Sequence, residues 1–252
     1  DRAIVLPRSF KSALVPWFAG IPSRTGFRGE SRFLLLNDRR PFDRDVLDQT
    51  VKRFVALGLD VGEALPAQLP NPSLAISREN QARVLDALGL DTNRPVVAMM
   101  PGAEYGPAKC WPHEYFAELA GKLEHRGYGV WILGSAKDAA AGDTIAAGSK
   151  AVNLCGRTSL EDVIDLLAVC EQAVSNDSGL MHIASAVGTH VHGLYGSSSS
   201  KFTPPLTKSR DIHETGIECS PCFERTCPLG HLRCLIDLKP ESVFEKIALN
   251  SR

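Results

Sequence analysis

Residues 174–206 read VSNDSGLMHIASAVGTHVHGLYGSSSSKFTPPL, and this stretch decides the fold. Ala173, Val174 and Ser175 close an apolar run, and Asn176-Asp177-Ser178-Gly179 is turn chemistry. Leu180, Ile183, Ala184 and Val187 then recur at helical spacing. A strand therefore passes through a polar turn into a helix. The first backbone N–H groups of a helix have no partner within it, and the aligned peptide dipoles favour negative charge there, so the turn suits an anionic group such as a phosphate. Gly179 lets such a group approach the backbone. Read alone, the turn is equally an N-cap supplied by Asp177 or Ser178. Its neighbourhood argues for more. A second strand, 191–195, runs into Gly196 and four serines, which delivers small polar residues to the same sheet edge, where open parallel sheets bind ligands.

The chain has 252 residues with 44% hydrophobic content, enough for one large or two modest globular domains. Its net charge of −1 leaves no excess of Lys and Arg to neutralise a nucleic-acid backbone, so no nucleic-acid partner is expected. No apolar run has the length of a membrane span, and no signal peptide is evident. The default expectation is a cytoplasmic protein. Seven cysteines, an odd number, point to reduced thiols. The first residue is Asp1, and Ala3 to Leu6 reads as a buried strand beginning almost at once, as though the chain were entered midway.

Residues 1–72 are basic and rich in loop residues. Arg8, Lys11, Arg24 and Arg28 form either a grip for an anionic acceptor or a solvated basic face. Asp45 to Leu57 reads as a helix with Val46, Val51, Phe54, Val55 and Leu57 inward. The three prolines between Leu65 and Pro72 place a domain boundary there, giving domains 1–72 and 73–252. A helix from Ser77 to Leu88 stops at Gly89. From Arg94 the pattern alternates: strand 96–100, helix 112–125, strand 129–133, helix 139–147, strand 151–154, helix 160–170. Strands separated by helices mean a parallel sheet covered on both faces. Ser159 with Asp162 reads as a capping-box variant.

The loop PGAEYGPAKCWP, residues 101–112, places Lys109 between a strand's carboxyl end and a helix's amino end. There a flexible ammonium suits a diphosphate, or is simply a surface lysine. Glycine spacing excludes a P-loop. Asp138 sits in another strand-to-helix turn, either receiving ribose hydroxyls or favouring the helix start. His182 reads as a structural histidine that could also reach a phosphate or sugar hydroxyl. His190 and His192 alternate on one strand face, but no third ligand is evident and no metal is expected there. Cys219, Cys222, Cys227 and Cys234, spaced C-x2-C-x4-C-x6-C around His231, could form a structural zinc or iron–sulfur site, yet the spacing favours free thiols or a disulfide over a metal. Cys110, Cys155 and Cys170 read as ordinary thiols, with no base nearby to activate them.

Taken together, PGAEYGPAKCWP, NDSGLMH at 176–182 and LYGSSSSKFTPPL at 194–206, with SFKSAL at 9–14 and FAGIP at 18–22, closely resemble the lipopolysaccharide heptosyltransferases of glycosyltransferase family 9. The resemblance implies a GT-B architecture of two Rossmann-like domains, the carboxyl-terminal one complete and the amino-terminal one partial. It implies an inverting transfer of L-glycero-D-manno-heptose from ADP-heptose to the first heptose of heptosyl-Kdo2-lipid A, with no cofactor required, at the cytoplasmic face of the inner membrane. By the same resemblance Lys109 stabilises the leaving diphosphate. Asp177, Ser178, Gly179, Gly102 and His182 hold the nucleotide-sugar, Asp138 approaches the ribose, and Arg8, Lys11 and Arg24 face the acceptor. The family's catalytic base lies on a segment expected upstream of Asp1, so amino-terminal truncation and poor transfer by this chain are expected. Cys110 stands where an arginine is common in the family. Two alternatives fit the same residues: a nucleotide-binding module without catalysis, and a sugar-nucleotide epimerase of GT-B type.

Overall fold

The computed structural model describes residues 1–250. It divides into two compact units, one over Asp1–Pro70 and one from Asn71 onward.

The first unit is built from β1 (Arg2–Val5), α1 (Phe10–Phe18), β2 (Ser23–Phe27), β3 (Asp38–Arg40) and α2 (Thr50–Gly58). The three strands pair in parallel in the order β1-β2-β3. Val5 packs with Ala13, Leu35 and Leu36. The expected buried strand from Ala3 to Leu6 is corrected: β1 ends at Val5, and Ile4 and Leu6 are both exposed, because their face of β1 lines an open groove with Val15 and Phe54. The helix expected from Asp45 begins only at Thr50. The carboxylate of Asp43 accepts from the backbone N–H of Asp45 at 2.9 Å and of Val46 at 3.4 Å, and this local turn competes successfully with the helix. Val46 is left exposed ahead of the helix, and within it Phe54 is exposed while Leu57 is buried.

The second unit follows the expected alternation. Its elements are α3 (Arg78–Leu88), β4 (Val96–Met100), α4 (His113–His125), β5 (Gly129–Ile132), α5 (Ala139–Ala146), β6 (Val152–Asn153), α6 (Leu160–Leu167), β7 (Gln172–Asn176), α7 (Gly179–Val187), β8 (His190–Leu194), β9 (Arg210–His213), α8 (Arg233–Ile236) and α9 (Pro240–Leu249). The six strands are all parallel, ordered β6-β5-β4-β7-β8-β9. Counted within the unit this is the doubly wound order in which the chain starts in the middle and reverses direction between β4 and β7. Both faces of β4 are buried. Val97 and Met99 pack with Phe116, Leu119 and Leu123 of α4 and Val243 and Ile247 of α9, whereas Val96, Ala98 and Met100 pack with Val84 of α3, Leu166 and Leu167 of α6 and Ala184 of α7. Full burial of each such side chain contributes about 1.5–3 kcal/mol, and a central parallel strand buried on both sides reads as an unbroken apolar run for that reason.

Helix ends obey local chemistry. The Ser77 side chain caps α3, and Gly89 closes it in the left-handed conformation. Ser159 and Asp162 form a reciprocal capping box on α6, which ends at Leu167 rather than at Cys170.

The register of the outer strands gathers a polar cluster on the α9 face of the sheet. His192 pairs with Asp211 and Leu194 with His213, so side chains from β7, β8 and β9 meet. Burial holds the His192 and His213 imidazoles well below the ordinary histidine range. The native state therefore binds fewer protons here than the unfolded chain. Their contribution to stability is complete above the ordinary histidine pKa of about 6.5 and is lost progressively as pH falls from there to the native-state values of about 4 and about 3. Urea unfolding at pH 7.5 and 5.5 is expected to show a lower midpoint at the acid pH, and a smaller drop in His192→Gln.

Candidate functional site

The site is assembled where the strand order reverses. The side chain of Asn176, the last residue of β7, is fully buried. Its amide nitrogen donates to the carbonyl of Pro101 at 2.6 Å, and its oxygen accepts from the backbone N–H of Trp111 at 3.0 Å. Both ends of the loop after β4 are thereby tied to the end of β7. Within that loop a short 3-10 turn, Pro107–Lys109, carries Lys109 inward, and its ammonium donates to Asp177 Oδ2 at 2.6 Å. The side chains are 18% and 5% exposed respectively, so the pair is half shielded from screening and geometrically fixed. Thr203 Oγ1 adds long contacts of 3.4 Å to both carboxylate oxygens of Asp177.

Ser178 is the N-cap of α7, but its side chain caps no backbone group. The hydroxyl lies 3.2 Å from Ser175 Oγ instead. Of the two capping readings, Asp177 is thus engaged by Lys109 and Ser178 leaves the amino end of α7 uncapped by a side chain. A β-carbon added at Gly179 would meet nothing within 4 Å, so the backbone there faces open space.

That space is a cavity of about 850 Å³, lined by Gly102 to Tyr105, by the Leu133–Ser135 turn with Lys137 and Asp138, by Thr158 to Leu160, and by Asp177 to Leu180. Gly102 is required by close packing: an added β-carbon would lie 2.7 Å from Asp138 Oδ1. Asp138 Oδ2 accepts from both the backbone N–H and the hydroxyl of Ser135, each at 2.8 Å, which closes a capping box on the turn before α5. Asp138 therefore lines the cavity while its carboxylate also holds the turn. His182, one turn into α7, is mostly buried. Burial, reinforced by the nearby Lys109 charge and opposed by Asp177, lowers its pKa, so the ring is neutral at pH 7.

Other candidates fall elsewhere. Arg8, Lys11 and Arg24 belong to the first unit. The Arg24 guanidinium is occupied by backbone carbonyls, donating to Leu35 O at 2.7 Å and to Ile21 O. Arg8 stacks over the Phe42 ring at 4.2 Å, and Lys11 is exposed. Cys110 has its thiol pKa raised, first by burial and then by Asp138. Cys219, Cys222, Cys227 and Cys234 are free thiols, and their segment has a role the sequence did not reveal. Arg225 O accepts from Ala108 N at 3.1 Å, Arg225 Nε donates to Tyr105 O at 2.8 Å, and the Tyr105 hydroxyl donates to Phe223 O at 2.8 Å. The cysteine-bearing segment thus buttresses the loop that carries Lys109. Ser159 was read only as a helix cap, and Thr203 and Thr158 were not assigned to the site, because no local pattern marks a residue that reaches a site only through strand order.

An ammonium clasped by a carboxylate, beside an uncapped helix start and an open cavity, can receive a group with two or more anionic oxygens. Two parallel α/β units, the second with a switch-point site, are the fold of the GT-B glycosyltransferases that this chain resembles in structure. Residues 1–233 match glycosyltransferase family 9 (heptosyltransferase), and the chain belongs to that family. Lipopolysaccharide heptosyltransferase 2 of Salmonella typhimurium is 43% identical over 258 residues, covering 98% of this chain and 74% of the relative. The Escherichia coli K12 protein of the same name matches to the same extent. The solved structure of E. coli ADP-heptose lps heptosyltransferase II has a TM-score of 0.88 at 42% identity, covering 99% of this chain and 76% of that one. The chain spans about three quarters of the length of these relatives.

Replacing Gly102 by Ala is expected to push the Asp138 carboxylate off its turn, costing about 1–3 kcal/mol of stability as overpacking does. Urea unfolding of Gly102→Ala against the unsubstituted chain measures this.

Proposed function

We propose that the chain transfers L-glycero-D-manno-heptose from ADP-heptose to the first heptose of the lipopolysaccharide inner core, and that the second unit holds the donor. The observation that carries this reading is the cavity wall formed by Asp177, Ser178 and Gly179 at the side-chain-free amino end of α7, with Asp177 holding the ammonium of Lys109. Family membership and the names of the relatives support the same chemistry.

In this reading the diphosphate lies across the start of α7, where the backbone N–H groups of Ser178 and Gly179 and the helix dipole meet it. Lys109 follows the charge that develops on the departing diphosphate, stabilising it more in the transition state than in the bound donor. Asp177 keeps the ammonium on station. The cavity wall of Gly102, Asp138 and Thr158 to Leu160 receives the nucleoside, with Asp138 beside the ribose, and His182 supports the turn as a neutral ring. Inversion requires a base on the acceptor hydroxyl, on the side of the anomeric carbon opposite the diphosphate. The acceptor, heptosyl-Kdo2-lipid A, meets the first unit, with Arg8 and Lys11 contacting its anionic groups and Arg24 shaping the backbone at Ile21 and Leu35. No helix among the described residues is long and apolar enough to cross a membrane, and the proposed site of action is the cytoplasmic face of the inner membrane through peripheral contact. No cofactor enters this scheme.

Calorimetric titration with ADP, with UDP and GDP as controls, tests the donor side. Selective ADP binding is expected, weakened roughly ten- to a hundredfold in Lys109→Met, as loss of a hydrogen bond to a charged group implies. Unchanged ADP affinity in that variant would remove Lys109 from the site, and equal affinity for the three nucleotides would remove the adenosine assignment. Transfer of heptose from ADP-heptose to heptosyl-Kdo2-lipid A tests the reaction itself.

A further inference from the structure

The two histidines that lacked a third ligand in the sequence acquire one from the fold. His190 Nε2 lies 2.8 Å from Asp211 Oδ2, and His192 Nδ1 lies 4.0 Å from the same oxygen. The three donor atoms all fall within 4.8 Å of one another, the one such group among the described residues. A fourth donor is adjacent, since His213 Nε2 is 3.0 Å from His192 Nδ1. We propose that His190, His192, Asp211 and His213 form a binding site for a single divalent transition-metal ion of the zinc class, which fastens the outer edge of the six-stranded sheet.

The outer atoms of the rings point to this as strongly as the inner ones. The carbonyl of Ile247 can only accept, so the Gln172 amide nitrogen, 3.2 Å away, must face it. Gln172 then turns its oxygen to His192 Nε2 at 2.8 Å, and that nitrogen must carry the proton. A neutral His192 therefore presents a bare lone pair on Nδ1, aimed into the cluster. His190 Nδ1 has its own outer partner, Ser209 Oγ at 3.0 Å, which can accept a proton-bearing Nδ1 and leave Nε2 bare. An outer hydrogen bond that fixes tautomer and ring orientation is what metal-bound histidines require.

Donor type and spacing select the ion. Imidazole nitrogens with one carboxylate suit zinc, cobalt or nickel and not magnesium or calcium. Ligands about 2.0–2.1 Å from a tetrahedral ion stand about 3.3–3.4 Å apart. The separations of 2.8 and 4.0 Å among His190, His192 and Asp211 bracket that distance, so small side-chain shifts bring these three to one ion, and His213, 3.0 Å from His192 Nδ1 but outside the three-residue group, turns further to complete the set. Binding leaves each neutral ring with its one proton: His190 exchanges the proton on Nε2 for one on Nδ1, where Ser209 accepts it, and His213 exchanges its Nε2 proton for one on Nδ1. The way in is from the partly exposed His190 and Asp211, past Asn250, whose amide donates to Asp211 Oδ2 at 2.7 Å.

The role is structural. His190 and Arg210 open β8 and β9, so much of the cluster lies toward the strands' amino-terminal ends, while the Lys109–Asp177 site lies beyond their carboxyl ends. β9 is an edge strand paired on one side only, and an ion shared by His190 and His192 of β8 with Asp211 and His213 of β9 gives it a second attachment to its neighbour.

The test is titration of the whole reduced, chelator-treated chain with cobalt(II), followed by displacement with zinc. One equivalent of cobalt is expected, giving visible d–d bands without thiolate-to-cobalt charge transfer. Affinity should fall at least tenfold in both His190→Gln and Asp211→Asn and stay unchanged in Cys222→Ser. Circular dichroism and retained ADP binding establish that the variants fold, and His190 and Asp211 are partly exposed positions chosen for that reason. Absence of cobalt bands would overturn the proposal. So would bands of thiolate character that vanish in Cys222→Ser and persist in Asp211→Asn, which would move the metal to the cysteine segment.

Discussion

The buried amide of Asn176 is the interaction on which the site depends. Its two hydrogen bonds, to Pro101 O and from Trp111 N, grip both ends of the loop after β4 and fasten it to the end of β7. Only with the loop held there does Lys109 come within 2.6 Å of Asp177. An amide suits the position because it offers a donor and an acceptor at once, and each is matched by a buried backbone group that would otherwise go unpaired. A carboxylate would leave Pro101 O without a donor. The strand order supplies the setting: between β4 and β7 the chain winds to opposite sides of the sheet, which leaves room at the strand ends for a cavity.

Around this stitch the loops support one another. The segment from Cys219 to Cys234 carries little secondary structure, yet Arg225 and Phe223 hold the backbone of the Lys109 loop through Ala108 and Tyr105. Gly106 is glycine because a β-carbon there would lie 2.5 Å from Arg225 O. The positioning of the Lys109 ammonium is thus shared between a core amide and a peripheral loop. Changes in the cysteine segment are coupled to the site through two backbone contacts and one tyrosine.

Much of this was legible in the residues. The alternation of strands and helices from Val96 onward, the capping of α3 and α6, and the turn at Asn176 to Gly179 follow from periodicity and local hydrogen-bonding chemistry, and these act over a few residues. The first unit was read less well. The Asp43 side chain captured the backbone that a helix from Asp45 needed, and β1 proved to be a partly exposed edge strand. Arg24, counted among the acceptor contacts, spends its guanidinium on the carbonyls of Leu35 and Ile21, partners that no spacing rule could have named.

The sequence by itself determined the parallel α/β class, the strand-turn-helix unit at Asp177 and, through its motifs, the heptosyltransferase resemblance. These depend on residue type and short separation. Only the tertiary structure decided which distant groups meet. Lys109 reaches Asp177 across 68 residues, Asp138 packs on Gly102, and Asp211 joins His190 and His192. Each of these meetings is set by strand order and register, and a parallel sheet fixes both through long-range backbone pairing that leaves no trace in the residues on either side.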